Sequence, residues 1–230
     1  MEGVQRRTPR ALDGAPSSVS SSAQASLFPD GPETGAFAID AGFSRAARTP
    51  LDATSWVEVV SGWISGSEEL FARLSSDVPW REHHRRVYGH WFLEPRLTHE
   101  YRDLRSVPHP QLIDAARILS VHYGREYDSL WLNLYRDGRD STGWHRDHFS
   151  CRRPDCVVPV LTLGSARPFL IKPRQGGTSV RFRPRSGDLI VMGGRSQEDW
   201  LHGVPKIVEP IGARISVNFQ SSEQARPDRS

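Results

Sequence analysis

Short apolar runs dominate the second half of the chain, and polar turns separate them. The runs are rich in Leu, β-branched and aromatic residues, and Gly, Pro, Asp or Arg turns such as Arg136-Asp137-Gly138 bound each one. This pattern predicts antiparallel strands. The predicted strands are Leu130–Tyr135, Val157–Leu163, Pro168–Lys172, Ser179–Arg183, Asp188–Met192, Lys206–Val208 and Arg214–Phe219. Their number and spacing indicate a sandwich or barrel, and we favour a double-sheet jelly roll.

The region before these strands has a different periodicity. Apolar residues recur at helical spacing in Trp56–Ile64 and Glu69–Leu74, which predicts one or two short helices. Pro110–Tyr123 fits an amphipathic helix that begins with proline, whereas Val87–Phe92 is aromatic and predicted to be extended. The expected fold class is therefore mostly β, with helices on the amino-terminal side of a jelly roll.

Both ends of the chain differ in composition from its middle. Residues 1–50 are mostly Ser, Ala, Pro, Gly, Arg and Asp without sustained periodicity, so we expect a largely disordered tail there. We expect a second, short disordered tail at residues 221–230. The remainder divides into an amino-terminal region at 51–125 and a jelly-roll core at 126–220.

Charge and cysteine content narrow the classes of protein to which this chain can belong. A net charge of +3 permits a nucleic-acid partner without requiring one. No apolar run is long enough to span a bilayer, and no secretory signal begins the chain, so we expect a soluble cytoplasmic protein that does not bind membranes. The two cysteines, Cys151 and Cys156, exclude a disulfide framework. They permit a local disulfide or an exposed thiol pair, and a reducing compartment fits them best.

Two histidines and an aspartate have the chemistry of a metal site. His145 and Asp147 are two residues apart, so both side chains leave the same face of an extended segment. His202 follows after an interval that lets several antiparallel strands return the chain to the same point. Two imidazoles and one carboxylate form a facial triad, which leaves coordination positions on Fe(II) open. Taken alone, the same residues also fit a polar turn and surface histidines.

Polar side chains on two predicted strands extend this candidate site. Arg214, Ser216 and Asn218 share one face of the last strand, and a guanidinium in a pocket suits a bidentate carboxylate. Asn133 and Tyr135 share a face of the strand that leads towards His145. Ordinary amphipathic strands are the alternative. Together, the five residues would line a pocket for a dicarboxylate beside the metal.

At this point the chain resembles a known family. It contains, in this order, Asn133-X-Tyr135, Gly143-Trp144-His145-X-Asp147, Gly187-Asp188-Leu189, His202-Gly203-Val204-Pro205 and Arg214-X-Ser216-X-Asn218. The combination resembles the AlkB-like Fe(II)/2-oxoglutarate-dependent dioxygenases, most closely their small bacterial members, over residues 72–220.

The resemblance implies a fold, a set of ligands and an activity. It implies a double-stranded β-helix (jelly roll) behind an amino-terminal nucleotide-recognition lid, here residues 51–125. His145, Asp147 and His202 would hold iron, Arg214 would pair with the distal carboxylate of 2-oxoglutarate, and Asn133 and Tyr135 would complete its pocket. The implied reaction consumes O2 and 2-oxoglutarate and oxidatively dealkylates N-alkylated bases in DNA or RNA, releasing an aldehyde, succinate and CO2.

Two positions depart from the family pattern. Gln220 stands where many members have a second arginine, and His148-Phe149-Ser150 stands where many have a carboxylate that meets the base. The second departure and the modest charge keep open a 2-oxoglutarate oxygenase of the same fold that acts on a protein or small molecule. A non-enzymatic binding module of the same fold is a third hypothesis.

Basic and aromatic residues interleave in the predicted lid, which suits phosphate contacts and base stacking. The alternative is a solvated basic face over aromatic core residues. The substrate-binding candidates are Tyr88, Trp91, Arg96, Tyr101 and Phe149. We expect the protein to act as a monomer.

A short apolar segment interrupts the amino-terminal tail. Gln24-Ala25-Ser26-Leu27-Phe28 resembles the peptides with which bacterial replication and repair proteins hold the sliding clamp. A disordered segment can dock two adjacent apolar side chains in a preformed pocket and tether the enzyme at DNA. Alternatively, Leu27 and Phe28 close an apolar groove on the enzyme itself.

Overall fold

Strands account for most of the regular structure. The computed structural model describes residues 36–225 except residues 88, 148–150, 152 and 154. The strands are β1 (Ala38–Ile39), β2 (Ala46–Pro50), β3 (Ser55–Val60), β4 (Ile64–Ser65), β5 (Arg81–Val87), β6 (His90–Tyr101), β7 (Ser129–Tyr135), β8 (Thr142–His145), β9 (Val157–Gly164), β10 (Phe169–Pro173), β11 (Val180–Phe182), β12 (Leu189–Gly194), β13 (Trp200–Val204) and β14 (Arg214–Gln220). The helices are α1 (Ser67–Asp77), α2 (Pro110–Tyr123), α3 (Ser196–Asp199) and a 3-10 turn at Leu104–Ser106.

Two antiparallel sheets form a jelly roll. The larger sheet has the strand order β2-β3-β12-β9-β14-β7-β6-β5, and the smaller sheet has the order β11-β10-β13-β8. A separate two-stranded pair joins β1 to β4. Neighbours such as β9 and β14 are distant in sequence, which is the connectivity of a double-sheet roll. The prediction of a mostly β jelly roll is confirmed.

Side-chain alternation divides the core into two layers. Ile215, Val217 and Phe219 of β14 pack with Leu70 and Leu112 of the helices in one apolar cluster on the helix-covered face of the large sheet. The second cluster joins residues of both sheets and fills the space between them: Val57, Val158, Val160, Phe169, Ile171, Ile190, Met192, Trp200 and Val204 belong to it, with Tyr135. Because period-two alternation places residues 214, 216 and 218 on the opposite face from Ile215, these polar side chains face the space between the sheets.

The helix predicted at Trp56–Ile64 is wrong. Residues 56–60 belong to β3, which pairs with β2 on one side and β12 on the other, and Ile64 belongs to β4. Val57 and Val60 are fully buried on opposite faces of the large sheet, and Trp56 and Val59 are partly buried. A short strand buried on both faces has no polar alternation, so its pattern resembles a buried helix. The prediction at Glu69–Leu74 is confirmed within α1, and Pro110–Tyr123 is confirmed with both of its ends.

The strand predicted at Lys206–Val208 is also wrong, since these residues are irregular and Val208 is 99% exposed. The pairing strand lies earlier, at β13. In this loop the Ile207 nitrogen donates to the Gly138 carbonyl at 2.8 Å, a backbone hydrogen bond made outside any sheet. The prediction of a strand here rested on β-propensity alone.

Ordered structure extends beyond the expected boundaries. Strands β1 and β2 lie inside the segment that we expected to be tail, because they pair with β4 and β3. At the other end, the Gln224 side chain is buried and its amide oxygen accepts from the Val157 nitrogen at 2.6 Å. Strands β3, β5 and β6 join the same large sheet as the core, so residue 125 does not mark a break in the sheet. In the described part of the chain, no helix is both long and apolar enough to cross a membrane.

The two cysteines form a disulfide. Cys151 and Cys156 are bonded to each other, and both are buried. The backbone nitrogen of Cys151 donates to the Asp147 carbonyl at 2.9 Å. Of the two states that the sequence permitted, the structure therefore contains the local disulfide, in the loop that follows Asp147.

Candidate metal and co-substrate site

Strand pairing brings the three candidate metal ligands together. His202 of β13 is the register partner of His145 of β8, and their ring centroids are 4.2 Å apart. Asp147 follows β8; its carboxylate oxygens lie 3.6 Å from His145 Nε2 and 3.5 Å from His202 Nε2. One ligand atom from each residue falls within 4.8 Å of the other two. The predicted triad is thus one cluster, at the edge of the small sheet.

Neighbouring groups hold these ligands in place. His145 Nδ1 lies 2.8 Å from the Gly143 carbonyl, which favours the tautomer that leaves Nε2 as the ligand nitrogen. The Asp147 backbone nitrogen donates to the Gln197 side chain at 2.9 Å. Gly203 is required next to His202, because a Cβ there would lie 2.9 Å from the Thr142 carbonyl oxygen.

The electrostatics favour metal binding at neutral pH. Burial, reinforced by nearby His202, lowers the pKa of His145 to about 4. Burial opposes ionisation of Asp147, but the charge and hydrogen bond of His202 outweigh it and lower the pKa of Asp147 to about 2. Metal ligation needs an unprotonated imidazole and an ionised carboxylate. At neutral pH His145 is therefore neutral and Asp147 ionised, as ligands of these two types must be.

Arg214 lies in the space between the sheets with unused hydrogen-bonding capacity. Its side chain is 2% exposed, and its Nη2 donates to Thr162 Oγ1 at 3.1 Å. Its Nε and Nη1 have no hydrogen-bond partner within the described residues. The guanidinium lies 5.3 Å from the centre of the Tyr135 ring. A buried guanidinium with orphaned donors is costly, and a bound carboxylate would satisfy it.

The other predicted pocket residues form a hydrogen-bonded group beside Arg214. The Asn133 amide nitrogen donates to Ser216 Oγ at 3.0 Å, and Asn218 Nδ2 lies 3.5 Å from the same oxygen. Tyr135 Oη is 2.7 Å from Thr142 Oγ1. The pairing of β7 with β14 sets Asn133 opposite Ser216 and Tyr135 opposite Arg214. All five predicted pocket residues thus lie on two adjacent strands.

The predicted substrate-binding residues separate into different environments. Trp91 is 68% exposed near the end of the β5–β6 hairpin. Arg96 donates from its Nε to Asn133 Oδ1 at 2.8 Å and so lies beside the candidate pocket. Tyr101 lies away from the site. Alternation along β6 turns its side chain to the helix-covered face of the large sheet, where it packs in the apolar cluster. Tyr88 and Phe149 lie outside the described residues.

Several contributing residues were not predicted. Thr162 gives Arg214 its protein acceptor, and Gln197 holds the Asp147 backbone. Arg167 is fully buried and donates to the carbonyls of Asp137, Asp140 and Pro205, which lie before β8 and after β13. The polar interruption of an apolar strand at Thr162 was a usable signal. The role of Arg167 depends on loops that meet only in the folded chain, so the amino-acid sequence offered no signal for it.

Comparison with known proteins agrees with this geometry. The model of the 2OG-Fe(II) oxygenase superfamily matches residues 65–220. The chain belongs to this superfamily. Bos taurus alpha-ketoglutarate-dependent dioxygenase alkB homolog 3 is 27% identical over 178 residues, which cover 69% of this chain and 62% of the relative. The Arabidopsis thaliana DNA oxidative demethylase ALKBH2 is 27% identical over 192 residues, which cover 66% of this chain and 60% of the relative.

These relatives confirm the AlkB-like resemblance of the chain. The chain spans about three fifths of their length. A solved structure, that of OsALKBH1, superposes with a TM-score of 0.53 and 14% identity, covering 76% of this chain and all of the other. At that identity the likeness shows the fold, in agreement with the double-sheet roll.

Proposed function

We propose that this oxygenase oxidatively dealkylates N-alkylated bases in DNA or RNA, consuming O2 and 2-oxoglutarate and releasing an aldehyde, succinate and CO2. The proposal is carried by the His145–Asp147–His202 cluster together with the buried Arg214, whose Nε and Nη1 have no partner within the described residues. The relatives' names include a DNA oxidative demethylase, which supports an alkylated base as the substrate.

The residues present fit Fe(II) and 2-oxoglutarate. Two imidazole nitrogens and one carboxylate are a donor set suited to Fe(II), and they leave room in its coordination shell for further ligands. The orphaned donors of Arg214 suit the distal carboxylate of 2-oxoglutarate, and Tyr135 lies against the same guanidinium. A dicarboxylate held at both ends would be fixed in one orientation.

Each group of residues has a separate task in this proposal. When bound, iron and 2-oxoglutarate supply the activation of dioxygen and the oxidation of the alkyl carbon. His145, Asp147 and His202 would hold the metal, and Arg214 would neutralise the co-substrate carboxylate. Phe169, stacked on His202 with ring centroids 5.5 Å apart, belongs to the apolar layer that excludes water. The oxidised alkyl carbon then leaves the base nitrogen as an aldehyde.

The β5–β6 hairpin supports a nucleic-acid substrate. Near its end, Trp91, Phe92 and Leu93 are 68%, 54% and 50% exposed. Exposed aromatic rings can stack on unpaired bases, and such stacking tolerates any sequence. The hairpin is the outer part of the large sheet, and Ser141, just before β8, donates its backbone N–H to the Pro95 carbonyl of β6 at 2.8 Å. This contact connects β6 to the segment that leads into β8, the strand that carries His145.

Mass spectrometry of alkylated oligonucleotides tests the proposal. A panel of single- and double-stranded DNA and RNA substrates would be incubated with the protein, Fe(II), 2-oxoglutarate and ascorbate. We expect loss of the alkyl mass from at least one adduct, with matching succinate. Succinate formed only with a methylated peptide or small molecule would favour the alternative oxygenase. No succinate under any condition would favour a binding module.

We also propose that Gln24–Phe28 binds the sliding clamp and that the enzyme acts as a cytoplasmic monomer. The pentapeptide lies outside the described residues, so the support for the clamp is its sequence alone. A pull-down with purified clamp would compare the full chain with a Leu27→Ala, Phe28→Ala double variant. Equal retention of the two proteins would refute the clamp contact. Light scattering at several concentrations would test the monomer.

A further inference from the structure

Strand β6 carries an irregularity beside the candidate site. Glu82 and His84 of β5 pair with Leu97 and Leu93 of β6, so one residue of β5 faces three residues of β6. The three are Glu94, Pro95 and Arg96. Proline has no backbone N–H for the ladder, and bulges near active sites redirect side chains. The bulge therefore gives Arg96 a direction that a regular strand would not impose.

Arg96 is held from two sides. Its Nε donates to Asn133 Oδ1 at 2.8 Å, and its Nη2 lies 2.7 Å from Glu94 Oε2. The side chains of Arg96 and Glu94 are only 11% and 13% exposed. His83 Nδ1 lies 3.2 Å from the same Glu94 oxygen. The guanidinium is thus fixed against the pocket of Arg214, with two of its nitrogens engaged.

The contact determines which way the Asn133 amide faces. Two N–H groups converge on Asn133 Oδ1, from Arg96 Nε at 2.8 Å and Trp131 Nε1 at 3.0 Å. An amide oxygen must face two donors, so the NH2 group faces the opposite way, where it donates to Ser216 Oγ. The second proton of that NH2 group is then directed into the space between the sheets, where an anion would accept it.

We propose that Arg96 is a positioning residue for 2-oxoglutarate, which acts by orienting the Asn133 amide with its donor side towards the co-substrate. This inference rests on the proposed function, and it differs from the base-contacting role that the sequence suggested for Arg96. The engaged and largely buried guanidinium supports the positioning role. Without Arg96, Asn133 Oδ1 keeps only one of its two donors, so the amide is held less firmly in this orientation. If the amide flips, its oxygen faces the co-substrate carboxylate and repels it.

Direct measurement of 2-oxoglutarate binding tests the inference without turnover. Calorimetric titration of the Mn(II)-loaded full chain without oxygen would compare the wild type, Arg96→Met, Asn133→Ala and the double variant. We expect each single variant to bind about tenfold more weakly, the loss of one charge-assisted contact. The double variant should bind no more weakly than Asn133→Ala, because both changes remove the same contact. Arg48→Met is the control, since Arg48 also forms an ion pair with a sheet glutamate, Glu58, and should leave binding unchanged.

Three results would overturn the inference. The first is an unchanged affinity of Arg96→Met for 2-oxoglutarate. The second is additive losses of affinity in the double variant, which would mean that Arg96 acts on the ligand independently of Asn133. Arg96→Lys keeps the charge and a donor, so it should bind more tightly than Arg96→Met, and equal weakness would also contradict the role. If Arg96→Met fails to fold by circular dichroism, the same cycle is run with Arg96→Lys. A wild-type chain that binds no 2-oxoglutarate would instead refute the proposed function itself.

Discussion

His145 and His202 are direct cross-strand partners in the small sheet. Their rings lie 4.2 Å apart because β8 and β13 pair antiparallel with these two residues opposite each other. A register slip of one residue would turn one of the rings to the other face of the sheet. The candidate metal site therefore depends on the pairing of two strands, and the carbonyl contacts of Arg167 fasten the loops at their ends.

Asp147→Ala should abolish metal binding and product formation. The carboxylate is the only anionic member of the cluster, and removal of a ligand should cost at least the roughly 10- to 100-fold in affinity typical of supporting residues. Calorimetry with Mn(II) and the oligonucleotide assay would measure both effects. Asp155→Ala is the matched control, an exposed aspartate that pairs with Arg125. Iron-dependent activity that survives in Asp147→Ala would refute the site.

Arg214→Met should raise the requirement for 2-oxoglutarate far more than it weakens oligonucleotide binding. One lost charge-assisted contact costs roughly 1.5 to 3 kcal/mol, which corresponds to a tenfold or greater rise in the half-saturating concentration. Methionine retains most of the buried volume, so the fold should persist. Steady-state assays over a range of 2-oxoglutarate would measure the effect. An unchanged requirement would place the co-substrate carboxylate elsewhere.

Trp91→Ala should weaken binding of single-stranded oligonucleotide without destabilising the fold. The ring is 68% exposed, and stacking on a base contributes roughly 1 to 3 kcal/mol. Fluorescence anisotropy with a labelled oligonucleotide would measure the loss. The control is Val121→Ala, at an apolar residue of α2 that is 86% exposed, and this variant should bind normally. Equal affinities of both variants would remove the hairpin from the nucleic-acid interface.

Asp52→Asn should lower stability at neutral pH but not in acid. Burial of Asp52 opposes ionisation, yet hydrogen bonds from Trp200, Thr54 and Ser55 prevail and lower its pKa from 3.8 to about 2. Because the folded pKa is the lower one, the ionised group stabilises the fold above the unfolded pKa, and this contribution is lost as the pH falls towards about 2. Urea unfolding across this window should show the wild type and the variant converging. A constant difference would contradict the assignment.

The Cys151–Cys156 disulfide should stabilise the loop after Asp147. Closing so short a loop contributes about 2 kcal/mol in the chain-entropy account. A Cys151→Ser, Cys156→Ser double variant should therefore unfold at lower denaturant concentration than the oxidised wild type. Added thiol reductant should abolish the difference, which tests the disulfide independently of the substitutions. Identical unfolding curves without reductant would argue against the bond.

The sequence by itself determined the fold class, the three candidate metal ligands and the pocket face of β14. Alternation with period two and the ordered motifs carry this information locally, so Arg214, Ser216 and Asn218 were predicted on one face without a structure. The helices at α1 and α2 also followed from local spacing. Family resemblance added the identity of the ligands that these side chains would hold.

Only the tertiary structure decided which residues meet. Trp56–Ile64 has a helix-like pattern, but pairing with β2 and β12 makes its first part a strand, since burial on both faces removes the alternation that marks strands. The sequence suggested that Arg96 contacts the base, but the bulge in β6 directs its side chain to Asn133. Arg167 reaches its three carbonyls because loops distant in sequence converge on it. Such contacts depend on register, bulges and loop paths, which are set by the packing of the whole chain and leave no periodic signal.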